Sequence, residues 1–160
     1  MIGIPMERTL RIFTDGGCSG NPGPGGWAFV VLQEEAGVQS VLAENKGGEK
    51  NTTNNRMELL AVINALRFLE GIPAPRPSVL VLTDSQYVQK GISQWIRNWK
   101  LNGWRTSDRK PVKNKDLWME LDELAEGLSP RWQWVRGHAG VLYNERCDEM
   151  TQQAIAEVRG

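Results

Sequence analysis

Four acids, Asp15, Glu58, Asp84 and Asp148, and the single histidine, His138, are the side chains whose types and surroundings could do chemistry. Each acid taken alone has a plain structural use. Asp15 precedes Gly16 and Gly17 and could serve a turn, and Asp84 suits the N-cap of a helix beginning at Ser85. Glu58, near a helix start, complements the helix dipole, and Asp148 could be a surface acid. Taken together they make a different object. Carboxylates brought close raise each other's pKa unless a cation sits between them. Hard oxygen donors without His or Cys suit magnesium or manganese. Such a cluster can hold two metals roughly 3.5–4 Å apart for phosphoryl chemistry. His138 lies in a Gly-His-Ala-Gly stretch, where flanking glycines favour mobility and imidazole changes charge near neutral pH.

Whether the acids meet depends on the elements that carry them. Leu10, Ile12 and Thr14 alternate with Arg11 and Phe13, predicting a first strand that ends at Asp15, with a Gly/Pro-rich loop from Gly16 to Gly26. A second strand is expected over Trp27–Leu32, a turn near Glu35–Gly37 and a third strand through Ser40–Asn45. The connection from Gln33 to Gly48 is long enough for a distinctive hairpin. Leu59, Val62, Ile63, Leu66 and Leu69 recur at helical spacing behind the polar start Asn51–Asn55. The prolines of Gly71–Pro77 end that helix. Val79–Thr83 is an apolar run of strand length, from which a strand buried on both faces is expected. Helices are expected over 85–98 and 114–127, a strand over 131–135 and a last helix over 145–158. The order implies an α/β sheet, with an antiparallel meander first and parallel strands after it. In that topology the first strand and Val79–Thr83 end at one edge, where open sheets bind ligands. Adjacent strands lie about 4.8 Å apart, so all four acids are expected to converge there.

Composition narrows the class. The chain has 160 residues, enough for one ordinary domain, and 40% of them are hydrophobic, enough for a core. Lys plus Arg equals Asp plus Glu at 19 each, so whole-chain charge names no partner. The distribution does more: Arg97, Lys100, Arg105, Arg109, Lys110, Lys113 and Lys115 face only Asp108 between positions 97 and 115. A concentrated basic segment can grip a polyanion, or be a solvated face. Two cysteines without C-x-x-C spacing support neither a disulfide scaffold nor a zinc site. The absence of a long apolar run, and of a signal-like start over Met1–Arg8, leads to the expectation of a cytoplasmic protein.

Six ordered segments carry a resemblance: IFTDGGCSGNPGPGG at 12–26, TTNNRMEL at 52–59, TDSQYV at 83–88, KPVKNKDLW at 110–118, WVRGHAG at 134–140 and NERCDE at 144–149. With this set the chain resembles bacterial type-one ribonuclease H over nearly its whole length. The resemblance implies a ribonuclease-H-like α/β fold, a five-stranded mixed sheet flanked by helices on both faces, in a single domain over 1–160 with an ordered core of about 8–158. It implies an endonuclease that hydrolyses the RNA strand of RNA/DNA hybrids by a two-metal-ion mechanism, giving 5′-phosphate and 3′-hydroxyl products. Asp15, Glu58, Asp84 and Asp148 would be the metal-binding catalytic set, taking Mg2+ with Mn2+ as a possible substitute. His138 would help activate the water or shuttle protons during product release. A departure from the family's pattern is the apolar run Val141-Leu142-Tyr143 after the His138 loop, which could alter turnover.

Substrate contacts are read in the same way. Asn21, Asn54, Asn55 and Gln86 are amides that could reach base edges and 2′-hydroxyls, the group that separates RNA from DNA. Asn21, Asn54 and Asn55 are equally suited to turns and caps. Thr53 could join a phosphate pocket at a helix N-terminus. Trp95, Trp99, Trp104 and Trp118 interleave with the basic residues. By resemblance this segment is a protrusion gripping the hybrid, with Trp95, Lys100 and Trp104 as contacts and Trp118 as a core residue. A monomer with no obligatory protein partner is expected. Two other readings remain: a nuclease of the same fold with different end requirements, and a catalytically silent hybrid-binding module. The first is disfavoured by the 52–58 segment and the basic tryptophan-rich stretch, the second by retention of all four acids.

Overall fold

A computed structural model describes residues 8–136 and 142–160. His138 and Val141 therefore lie outside the described residues. Five strands form one mixed sheet in the order β3-β2-β1-β4-β5: β1 is Thr9–Cys18, β2 Gly23–Glu35, β3 Val38–Thr52, β4 Ser78–Thr83 and β5 Arg131–Trp134. The first three form the antiparallel meander, and β1, β4 and β5 run parallel. The helices are α1 (Asn54–Glu70), α2 (Gln86–Lys90), a π-helical segment at Gly91–Trp95, α3 (Ile96–Leu101), α4 (Lys115–Leu128) and α5 (Leu142–Arg159).

Strand alternation divides the core between the two faces of the sheet. Leu10, Ile12, Phe29 and Val31 meet the buried stripe of α1 and, beyond it, Leu117, Trp118 and Leu121 of α4. Phe13, Ala28, Val30 and Leu32 meet Cys147 and Met150 of α5 on the opposite face. The helical spacing of Leu59, Val62, Ile63, Leu66 and Leu69 is thus the face of α1 that the sheet covers, all five being buried.

Three expectations about elements change. The loop foreseen over Gly16–Gly26 shrinks to the four residues between β1 and β2, because Gly16, Gly17 and Cys18 pair with Trp27, Gly26 and Gly25. Gly26 is there for close approach: a Cβ on it would stand 2.8 Å from the Thr151 carbonyl oxygen of α5. Asp15 consequently lies inside β1 rather than at its end. The third strand is Val38–Thr52, longer than Ser40–Asn45, since its solvent-facing edge needs no apolar alternation. A tight turn with positive φ at Ala36 and Gly37 joins it to β2. Finally, the helix foreseen over 85–98 is broken by the π-helical segment and continues to Leu101.

Candidate active site

The site begins with β1 and β4. Their parallel pairing runs as far as Phe13 and Leu82, and Asp15 and Asp84 each lie two residues beyond that pair. β4 stops at Thr83 while β1 continues, so the edge of β1 opens at Asp15. Glu58 arrives from the second turn of α1. Gly16 makes that approach possible, because a Cβ there would stand 2.5 Å from the Glu58 backbone nitrogen and 2.5 Å from the Met57 carbonyl carbon. Thr14, Asp15, Gly16, Glu58, Thr83, Asp84 and Ser85 line one tight hollow. Three of the four expected acids, from three separate elements, therefore meet.

Asp148 comes from the other face. Its neighbour Cys147 is buried, and the Cys147 thiol donates to the Phe13 carbonyl oxygen at 3.3 Å, which holds the start of α5 against β1. Asp15 is on the same side of β1 as Phe13 by alternation, the side that α5 covers. Burial pushes the Cys147 thiol well up, and the nearby Asp15 charge adds to the effect. Asp148 itself is half-buried.

Ser85 is the residue that sequence reasoning missed. Its hydroxyl donates to Glu58 Oε2 at 2.5 Å and accepts from the Val88 N–H at 3.1 Å, so Ser85, not Asp84, caps α2. The Ser85 N–H in turn donates to Thr83 Oγ1 at 3.1 Å. The Ser-Gln pair after Asp84 was legible as a helix start, but only the fold brings that hydroxyl onto Glu58. Burial pushes the Glu58 carboxyl up to about 7, against the hydrogen bond from Ser85, with the Asp84 and Asp15 charges raising it further.

Among the described residues, no set of three or more His, Cys, Asp or Glu side chains is already drawn into a metal cage. The donor chemistry nonetheless fits a hard divalent cation: carboxylate oxygens sharing a hollow, one of them held partly protonated by burial and by its neighbours' charge.

The other expected contacts fall into two groups. At the edge near the acids, Thr53 caps α1 by accepting from the Arg56 N–H at 3.3 Å, and Asn21 Oδ1 accepts from the Asn54 N–H at 3.1 Å. Asn54 and Asn55 open α1, and Gln86 is exposed at the start of α2. The cap reading and the contact reading of Asn21 and Thr53 are thus compatible, with backbone N–H groups already using their acceptor oxygens. Farther along, Tyr87, Trp95, Trp99, Trp104 and Trp118 form one aromatic cluster, with Trp95 and Trp104 half-buried and Trp118 fully buried. Tyr87 Oη anchors it, accepting from Trp118 Nε1 at 3.0 Å and from Asn114 Nδ2 at 3.2 Å. Lys100 is engaged elsewhere: its ammonium lies 2.6 Å from Glu126 Oε1 and 3.1 Å from Asp122 Oδ2 on α4. It is not brought to the carboxylate edge.

The family model described as RNase H matches residues 7–156. A protein of Aromatoleum aromaticum named Ribonuclease H is 54% identical, with 96% of this chain and 95% of that protein covered. The crystal structure of LC9-RNase H1, described as a type 1 RNase H with the type 2 active-site motif, superposes with a TM-score of 0.82 at 34% identity, covering 98% of this chain and 75% of that one. LC11-RNase H1 in complex with RNA/DNA hybrid superposes with a TM-score of 0.70 at 26% identity, covering 94% of this chain and 99% of that one.

Proposed function

The chain belongs to the ribonuclease H family, and from that premise we propose that it cuts the RNA strand of RNA/DNA hybrids internally, with two divalent cations, leaving 5′-phosphate and 3′-hydroxyl ends. As a member of the family it is a metal-dependent endoribonuclease, and the hybrid is its substrate. The observation that carries the mechanistic reading is the meeting of Asp15, Glu58 and Asp84 in one hollow. Asp148, in the second turn of α5, completes the set of residues that would hold magnesium, with manganese as a substitute. When bound, magnesium supplies Lewis acidity, easing deprotonation of the attacking water and stabilising the leaving oxygen.

The protein's own part is positioning. Ser85, locked between the Val88 N–H and Glu58, fixes the rotamer of the Glu58 carboxylate. Glu58 must shed its proton to act as a ligand, so cation uptake near neutral pH releases protons. His138 would help activate the water or carry protons as product leaves. The amides of Asn21, Asn54, Asn55 and Gln86 would read 2′-hydroxyls and base edges, with Thr53 beside a phosphate. Trp95 and Trp104 would line the path of the DNA strand, and Lys100 could join them only by leaving Asp122 and Glu126. We read positions 1–160 as a single domain working as a cytoplasmic monomer. Among the described residues no helix is long and apolar enough to cross a membrane.

Gel analysis of internally and end-labelled RNA/DNA, RNA/RNA, DNA/DNA and single-stranded RNA with magnesium tests this. Internal cuts confined to hybrid RNA, abolished by chelator and by Asp15→Asn, are expected. Tight, salt-sensitive hybrid binding without cleavage would make the chain a silent binding module and remove the roles given to the acids.

A further inference from the structure

The opposite end of the parallel strands carries a second charged constellation. Arg8 immediately precedes β1, Ser78 opens β4 and Arg131 opens β5. With Pro75, Arg76 and Pro77 from the loop before β4, they line an open hollow of about 520 Å³. β4 is six residues long, so this hollow lies about 20 Å from the carboxylate edge at 3.3 Å per residue.

Three arginines line this hollow, and neutral acceptors hold the guanidinium group of each. Arg8 Nε donates to Gln33 Oε1 at 2.7 Å. Arg76 donates to the Ile72 and Glu70 carbonyl oxygens at 3.3 and 3.5 Å. Arg131 Nη2 donates to Ser78 Oγ at 3.2 Å. Among the described residues none of the three is paired with a carboxylate, whereas Arg56, Arg67 and Arg146 pair with Asp116, Glu120 and Glu44. Like charges gathered in one place repel, and orienting them with neutral acceptors leaves their remaining donors and full charge for an anion.

We propose that this hollow binds a compact, multiply charged oxyanion: the phosphate chain of pyrophosphate or of a nucleoside triphosphate. Guanidinium forks match phosphate oxygens in pairs, and the Ser78 hydroxyl adds a polar group beside them. An acidic peptide is disfavoured by its need for an apolar foothold. The adjoining apolar hollow under Leu10, Leu69, Ile72, Val79 and Leu128 holds only about 10 Å³, no room for a side chain. The phosphodiester backbone of a duplex is disfavoured too, since its charges are spread along a strand rather than gathered in one hollow.

Isothermal titration calorimetry on the full chain in chelator tests the proposal, because no cation can then bridge phosphates to the carboxylate edge. Pyrophosphate, ATP, tetra-aspartate and a short RNA/DNA hybrid are titrated separately. Saturable one-to-one binding of pyrophosphate is expected. ATP binding as tightly as pyrophosphate assigns recognition to the phosphate chain alone, and ATP binding more tightly assigns a nucleotide. Arg131→Gln and Arg8→Gln should each weaken binding about 10-fold or more, the loss of a charge-assisted hydrogen-bond pair, while the exposed Arg97→Gln leaves it unchanged. Thermal melting confirms that each variant is folded, and two separate arginines guard against one failing. The proposal is overturned by no saturable heat at millimolar pyrophosphate and ATP, by equal loss in Arg97→Gln, by tighter binding of tetra-aspartate, or by displacement of pyrophosphate by the hybrid.

Discussion

The two ends of β1 and β4 treat charge in opposite ways. At the carboxylate edge, Asp15, Glu58 and Asp84 are pressed into a tight hollow, and Glu58 responds by holding its proton to about pH 7. At the other end, Arg8, Arg76 and Arg131 surround an open hollow, oriented by amide, carbonyl and hydroxyl oxygens. The acids are crowded by backbone: Gly16 lets α1 lie directly on β1. The arginines are gathered by side chains that reach from separate segments. An edge built on backbone contact tolerates little change, whereas one built by long, solvated side chains should lose charges one at a time without disturbing the fold.

The largest expected effect comes from the first edge. Asp15→Asn should lower hybrid cleavage by about 10²–10³-fold or more, while hybrid binding in chelator persists. Single-turnover rates with magnesium measure it, and a variant within a few-fold of wild type would dissolve the contrast between the ends. Next in size is Gly16→Ala. The added Cβ meets Met57 and Glu58 backbone atoms at 2.5 Å, so overpacking should cost about 1–3 kcal/mol. At about 2–4 °C per kcal/mol the loss is visible in thermal melting, and cleavage should fall with it.

A smaller effect is set by pH. The Glu58 carboxyl is raised from 4.5 to about 7, so the folded state retains a proton that the unfolded chain releases in that window. The stability tied to this proton is full below about pH 4.5 and is lost as pH rises through about 7. In chelator, Glu58→Gln should flatten that decline and raise the melting temperature at pH 8 by on the order of a few degrees. An unchanged pH profile in the variant would remove burial as the cause. Smallest of all, Arg131→Gln should leave the hybrid cleavage rate unchanged while abolishing most pyrophosphate heat. A drop in cleavage would tie the two ends together.

Much of the architecture was legible because it is written in side-chain periodicity. The stripe from Leu59 to Leu69, the apolar run Val79–Thr83 and the first-strand alternation each announced an element and its buried face. Where periodicity is silent, side-chain pattern does not announce the element. Gly16, Gly17, Gly25 and Gly26 have no side chains to alternate, so paired strand looked like loop. The π-helical segment at Gly91–Trp95 has no local signature either. Three acids were legible because topology alone carries them to one edge. Ser85 on Glu58, Lys100 on Glu126 and the hollow of Arg8, Arg76 and Arg131 were not, since each joins residues far apart in the chain with no repeating spacing.

Cys147 gives the molecule a built-in clock. Its thiol is buried against β1, donates to the Phe13 carbonyl oxygen and is driven well away from the reactive thiolate. Cys18 is also a free thiol, but it lies half-exposed between Gly23 and Thr52, whose carbonyl oxygens it contacts at 3.2 and 3.3 Å. A thiol-specific alkylating reagent should therefore label this chain in two separated phases. The fast phase would report breathing of the glycine-rich turn, and the slow one the rarer departure of α5 from the sheet. Opening free energies for the two events could then be read from one sample without a single substitution.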